Sequence, residues 1–433
     1  MYGRGGRVTR LGPGGPRGHL RADPRKGERS MSAYVKGLAY LAAVLAASAV
    51  VAGCGAGSGS TGSASATSSD KGPIVIGMSA SKSGPYSVDG VASLEGVEYA
   101  VHAMNQSGGW LGRKLELKVY DDQSDPTKAQ QIYQRLITQD HVDFIIGPYA
   151  PDLAAAAGAV ATRYKYVMLD PETALPIISG SKWAIMDEPA AKQNLDGYPE
   201  IVANEGYKTL AILGVNNAYG DECAAGVKEE AQQAGLKVVY TTSYAPDDAL
   251  NSAAEAIKAR GADAVASCSF FSDGVALTRA LDRANYKPKV FGLTIAPSKP
   301  EFAEAVGNLA SGVISNTSWA PSLKTEGNAE FVQGFKAFKG HAPDYHAANN
   351  YQSVQVLAAA VDDTQSLDQQ KILDKLYSTT YETVIGTFKL SPDALAVGFK
   401  EYLYQVQADG KEQKLVYPDD VAEAKVATPY GGS

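Results

Sequence analysis

Short apolar runs separated by amphipathic stretches recur along residues 74–315. Ile74–Met78, Leu115–Tyr120, Val142–Ile146, Tyr166–Leu169 and Trp183–Met186 form one series of expected strands. Thr209–Leu213, Lys237–Tyr240, Ala264–Cys268, Val290–Leu293 and Gly312–Ser315 form a second. Between the runs the period changes to that of a helix. Ala129, Ile132, Tyr133, Leu136 and Ile137 fall on one helical face, with Asp125 placed to cap the helix and Pro126 at its first position. Ala253, Ile257 and the stop at Gly261 repeat the device. Such alternation predicts parallel sheets covered by helices on both faces. It resets near Asp187, where a Pro- and Gly-punctuated stretch leads into the second series. The fold class expected is therefore α/β, with two doubly wound parallel-sheet lobes.

Beyond Ser315 the rhythm ends. A helix-rich segment at about 325–378 is followed by an antiparallel one at about 386–417, with strands at Thr387–Leu390 and Tyr402–Gln407 and a turn at Asp409-Gly410. A tail that adds helices and then edge strands suggests that the chain returns to both lobes. In open α/β sheets ligands bind outside the carboxyl ends of the strands, so two facing sheets would make a cleft.

The front of the chain reads as an address. Lys36 precedes Gly37–Val51, an uncharged apolar run of fifteen residues. That is short for a membrane span, which needs about 20, but suits a secretory signal. Val51-Ala52-Gly53-Cys54 resembles the bacterial lipobox, in which the thiol is acylated and becomes the new N-terminus; an ordinary cleavage site with an incidental Cys is the alternative. Gly55–Ser69 is a low-complexity Gly/Ser/Ala/Thr tether. Its Gly57, Gly59 and Gly62 match a dinucleotide-binding spacing without the strand and helix that would give it meaning. Residues 1–30 are Arg/Gly/Pro-rich and look like an over-extended start, with Met31 the better initiator. The expected division is a signal peptide to residue 53 and a lipidated Cys54 with its tether to residue 72.

The overall charge of −7 hides a split. Residues 1–36 hold nine Lys/Arg and two acids, so the remainder carries 31 basic and 45 acidic residues. A body that acidic is a poor nucleic-acid binder, because affinity for phosphate comes from Lys and Arg. Three cysteines exclude a disulfide-rich scaffold. Cys223 opens a helix after the second series' first strand and Cys268 ends its third. In the usual 2-1-3 strand order those ends are neighbours, and an exported chain permits a bridge. A disulfide is expected, with two buried thiols as the alternative.

An ordered set of short motifs carries a resemblance. Ile74-Val75-Ile76-Gly77, Ser83-Gly84-Pro85-Tyr86, Glu95-Gly96-Val97 and Asn105 with Gly108-Gly109 are similar to the opening of type I periplasmic binding proteins, in the branched-chain amino acid (leucine/isoleucine/valine) group. Leu111–Leu117, Asp121–Pro126, Ile146-Gly147-Pro148-Tyr149, Asn217 with Tyr219-Gly220, and Gly261–Val265 continue it through about residue 417. The resemblance implies a solute-binding component of an ABC importer, two lobes joined by three hinge crossings, closure on a ligand and no chemistry. It implies monomers, permease subunits as partners, no cofactor and no metal. The crossings would fall near Asp187–Ala190, Asn316–Ala320 and Thr380–Gly386. Lobe 1 would comprise 73–187 plus 320–380, and lobe 2 188–316 plus 386–420.

Carried over residue by residue, the resemblance implies ligand contacts at Tyr86, Ala150, Asp152, Thr173, Tyr219 and Asp273. Asp273 matches the family's ammonium-binding acid, although it can equally cap a helix; Tyr149 and Phe271 read as core or rim. One departure matters. The loop after the third strand usually supplies serines for an α-carboxylate, whereas this chain has Pro151-Asp152, and the next loop adds Asp170 and Glu172. Acids beside a bound carboxylate repel it. Either this lobe takes a cationic, amide-bearing or neutral polar ligand, or Asp152 caps its helix and Lys82 or Arg163 neutralises the acids. An enzyme is disfavoured: no nucleophile elbow, zinc motif or P-loop stands in the body, and five His supply little general base. His341 and His346 suit surface or helix-start positions better than a metal pair. A sensory module on the same fold is the other alternative.

Overall fold

The structure is a computed structural model that describes residues 72–431 except 178–179 and 246–249. The signal segment, Cys54 and nearly all of the tether lie outside the described residues.

Five strands, β1 (Ile74–Ala80), β2 (Leu115–Asp121), β3 (Phe144–Ile146), β4 (Met168–Asp170) and β5 (Ala184–Met186), form an all-parallel sheet in the order β2-β1-β3-β4-β5. The connecting helices are α1 (Ser87–Gln106), α2 (Pro126–Thr138) and α3 (Pro151–Tyr164). Asp125 caps α2 as its sequence position predicts, accepting from Thr127 N at 2.7 Å and Lys128 N at 3.2 Å. Both sheet faces are covered. Phe144 and Ile146 pack with Ile74, Ile76, Val97 and Leu357 on one side, while Ile145 packs with Leu136, Ala154 and Ala157 on the other. This alternation explains why the strands read as continuous apolar runs.

A short helix, α4 (Tyr198–Asn204), leads into the second sheet. β6 (Thr209–Val215), β7 (Lys237–Tyr244), β8 (Ala264–Cys268), β9 (Val290–Leu293) and β10 (Ile314–Thr317) alternate with α5 (Ala218–Gln233), α6 (Leu250–Arg260), α7 (Phe271–Arg283) and α8 (Pro300–Val306). The last part of the chain supplies α9 (Asn328–Lys339), α10 (Tyr345–Thr364), α11 (Gln369–Ser378), and strands β11 (Tyr381–Thr383), β12 (Gly386–Phe388), β13 (Tyr402–Val406) and β14 (Gln413–Tyr417). The seven-stranded order is β14-β13-β10-β9-β8-β6-β7, with β13 and β14 antiparallel at the edge.

Thr380–Gly386 is not a crossing; it builds the β11–β12 hairpin. Phe388, Leu390, Ala394 and Ala396 then pack into the core of the five-stranded sheet, and Leu395 bridges Met186. The chain therefore joins the second sheet only at Tyr402, later than residue 386. The apolar spacing of Phe388, Leu390 and Ala394 says that they are buried but not against which sheet.

Cys223 and Cys268 are joined by a disulfide that ties α5 to the end of β8 and closes a 45-residue separation. α1 lies along α10 so closely that a Cβ on Gly96 would come within 2.3 Å of the Ala347 carbonyl oxygen. Gly96→Ala should push these helices apart and lower stability by about 1–3 kcal/mol, read from denaturant unfolding with an unchanged m-value. Reduction should add two hydrogens to the intact mass and lower unfolding stability by about 2–4 kcal/mol; an unaltered mass would mean that the bridge does not form.

Candidate ligand-binding site

The carboxyl ends of both parallel sheets point to one interface. Tyr86 follows β1, Tyr149 follows β3, Glu172 and Thr173 follow β4, and Glu188 follows β5. Opposite them, Asn217 and Tyr219 follow β6, Phe270 follows β8, Ile295 follows β9, and Asn316 lies on β10. Rings meet across the interface: Tyr86 lies 5.8 Å from Phe270, which in turn stacks on Tyr219 at 5.2 Å. Tyr86 also meets Tyr149 edge-on at 5.7 Å.

Two connected spaces open there. The outer one, about 470 Å³, is walled by Tyr86, Pro151, Asp152, Thr173, Pro176 and Phe270, among others. The inner one is about 30 Å³ and is walled by Glu172, Glu188, Asn194, Tyr345, His346 and Glu401, among others. Pro151, Thr173, Tyr219 and Phe270 line both. Apolar walls with a few convergent polar groups are the usual make-up of a small-molecule site.

Of the residues expected to touch ligand, Tyr86, Asp152, Thr173 and Tyr219 reach these walls. Ala150 and Asp273 do not line either space. Ala150 is buried at the entry to α3 with φ +78°, its N–H donating to the Glu172 carbonyl oxygen at 3.1 Å. Asp273 is buried in the first turn of α7, where its carboxylate accepts from Phe270 N at 3.4 Å, the capping role weighed for it. Neither Lys82 nor Arg163 lines the site, and none of the ion pairs among the described residues involves Asp152. Asp152 occupies the first turn of α3, where the helix dipole favours a negative charge.

Sequence reasoning missed Asn194, Glu188, His346 and Glu401. The available signal was a charged residue at a strand exit, as in Met186-Asp187-Glu188, but distance along the chain hid its partners. His346 Nδ1 lies 2.7 Å from Glu172 Oε2, and Glu172 Oε1 accepts from Ser93 Oγ at 2.8 Å and Asn350 Nδ2 at 2.5 Å. Lys299, entering from the second sheet, pairs with Asp344 and stands 3.5 Å from Asp89 on α1. Burial opposes its charge, but Asp344 and Asp89 outweigh that and raise its pKa. Asp344 answers in kind: burial alone would raise its pKa, yet Lys299 draws it down to about 2. Burial pushes His346 well below the ordinary histidine range, so it is neutral at pH 7.

The remaining acids have no such cation. Burial, then the Glu172 charge, pushes Glu188 well above the carboxylate range; burial does the same to Glu401. Asp187 is buried and raised to about 8, partly offset by Ser353 Oγ donating at 2.7 Å. A raised pKa means that the folded state keeps a proton the unfolded chain has lost, so this stability is full below pH ~4 and fades as pH rises toward 8. Unfolding free energy should therefore fall between pH 6.5 and 8. Asp187→Asn should remove about one proton's slope, about 1.4 kcal/mol per pH unit, as measured by denaturant titration at several pH values.

With this geometry in place, comparison with known proteins is direct. A family model described as periplasmic binding protein matches residues 73–411. The leucine-, isoleucine-, valine-, threonine- and alanine-binding protein of Pseudomonas aeruginosa is 24% identical over 347 residues, covering 79% of this chain and 92% of that protein. Among solved structures, the branched-chain amino acid transporter substrate-binding protein LivJ of Streptococcus pneumoniae, in complex with isoleucine, superposes with TM-score 0.71 at 20% identity, covering 82% of this chain and 100% of that one. A solute-binding protein of an ABC transporter from R. palustris, in complex with benzoate, superposes with TM-score 0.69 at 22% identity, covering 82% and 100%. The matched span takes in the five-stranded sheet, all of the seven-stranded sheet but β14, and the junction between them, and the chain belongs to the periplasmic binding protein family, with the α/β fold of its type I members.

Proposed function

We propose that the chain is an exported solute-binding protein, lipid-anchored through Cys54, that delivers a small polar ligand to the permease subunits of an ABC transporter. The ligand is an amino acid or an amino-acid-like compound and leaves unchanged. One observation carries this reading: strand ends from both sheets meet around one chamber whose walls come from each, at Tyr86, Asp152 and Thr173 on one side and Asn217, Tyr219 and Phe270 on the other. Such a site forms only when the two halves approach, so binding and closure are coupled. The names of the relatives support the ligand class. The chain segments at Asp187–Ala190, Asn316–Ala320 and about 397–401, where it passes between the sheets, would serve as hinges.

A second reading has its own support. Asp152, Glu172, Glu188 and Glu401 line the two spaces without a Lys or Arg among the lining residues. That favours a cationic or amide-type ligand over a simple zwitterion.

Calorimetric titration with leucine, isoleucine and valine, with small-angle scattering of the same samples, tests the main reading. Saturable one-to-one binding with a decrease in the radius of gyration is expected for an amino acid ligand. A rigid particle, or a ligand recovered chemically altered, would overturn it. Acylation is checked separately: Cys54→Ser should release the protein from the membrane fraction.

A further inference from the structure

Resting on the solute-binding reading and narrowing its second ligand class in place of the amino acid, we propose that the ligand is an organic cation without a carboxylate, an alkyl or aryl amine or guanidine. Its head enters the inner chamber against Glu188, Glu401 and Asn194, and its body fills the outer chamber beside Tyr86 and Phe270.

Charge is the first argument. A zwitterionic amino acid needs a positive or N–H-rich place for its carboxylate. Lys299 is the only buried Lys or Arg among the described residues; it is committed to Asp344 and Asp89 and lines neither chamber. His346 is held neutral. The start of α3, where a carboxylate would otherwise dock, already carries the carboxyl of Asp152 in its first turn. A second anion there would face like charge at close range.

Unmet hydrogen bonding is the second, independent argument. Asn194 is 6% exposed, and its Nδ2 donates to Tyr219 Oη at 3.0 Å, while its Oδ1 is buried with no partner. Glu401 Oε2 is likewise buried without a partner, its Oε1 accepting from Asn316 Nδ2 at 3.4 Å. Both residues line the inner chamber. A buried acceptor left unpaired is unfavourable, and a group that carries only N–H donors satisfies the Asn194 oxygen, and Glu401 Oε2 once Glu401 has ionised. An ammonium or guanidinium is such a group.

Size and surface chemistry agree. About 30 Å³ admits one or two water-sized groups, a head and not a whole molecule. Tyr219 and Phe270 stand where the chambers join, and aromatic faces attract cations. The outer 470 Å³ leaves room for an apolar body.

Docking a cation requires the chamber carboxyls to ionise. Burial first, and then like charge from Glu172, Asp170 and Glu401 on Glu188 and from Asp196 on Glu401, raises both carboxyls well above the ordinary range, so a cation that favours their ionised form releases protons on binding. Affinity should then rise as pH is raised above the ordinary carboxylate range.

The test is calorimetric titration of the mature exported protein with matched pairs: isopentylamine and leucine, agmatine and arginine, benzylamine and benzoate. At least one amine or guanidine should bind 100-fold or more tightly than its carboxylate partner, with an enthalpy that depends on the buffer because protons are released. Glu401→Gln should weaken that binding at least tenfold and reduce the proton release. Its thermal midpoint without ligand, equal to or above that of the parent, shows that the fold is kept. If leucine, arginine or benzoate binds as tightly as its partner, the cation assignment is overturned while the solute-binding reading stands. If no probe binds and native mass spectrometry finds no co-purified small molecule, both fall.

Discussion

Lys299 holds the junction between the two sheets together electrically. Its side chain comes from the loop after β9 and ends among carboxylates on α1 and at the start of α10. A buried ammonium is tolerated only when its partners are close and themselves held in place. Here Asp344 caps α10 by accepting from Ala347 N at 2.9 Å, so the same residue fixes a helix start and anchors the cation. Removing this contact would leave the buried Asp89 and the half-buried Asp344 without their cation, at the place where the strand ends of the two sheets converge.

The consequence reaches the chamber next door. With its one buried cation spent on Asp344 and Asp89, the junction has none left for Glu172, Glu188 and Glu401. Glu172 is served by neutral donors from Ser93, Asn350 and His346. Glu188 has the Ala174 N–H at 2.5 Å, and Glu401 Oε1 has the Asn316 amide at 3.4 Å. Burial in a low dielectric disfavours the charge of these two acids and raises their pKa values.

Much of the architecture was legible in the sequence. The apolar runs at Ala264–Cys268 and Val290–Leu293 coincide with β8 and β9, and the cap at Asp125 sits where α2 begins. These features are local: a period, a cap and a breaker each act within a few residues. The wall residues Tyr86, Thr173 and Tyr219 were legible through resemblance, because they follow strands at the carboxyl edge. The hairpin at Tyr381–Phe388 was not, since two three-residue strands carry too few positions for a period.

Glu188, Asn194, Glu401 and His346 mark the limit of what a linear reading yields. Glu401 and Glu188 lie more than 200 positions apart yet line one small space, and His346 meets Glu172 across 174 positions. Each looks like an ordinary surface polar residue when read along the chain. The sequence alone determined two parallel sheets, their helices and the edge from which a ligand would be met, because hydrophobic periodicity is set by neighbours. Only the tertiary structure decided which acids are buried together and which cation is left for them, because desolvation and Coulomb terms depend on through-space distance and not on chain order.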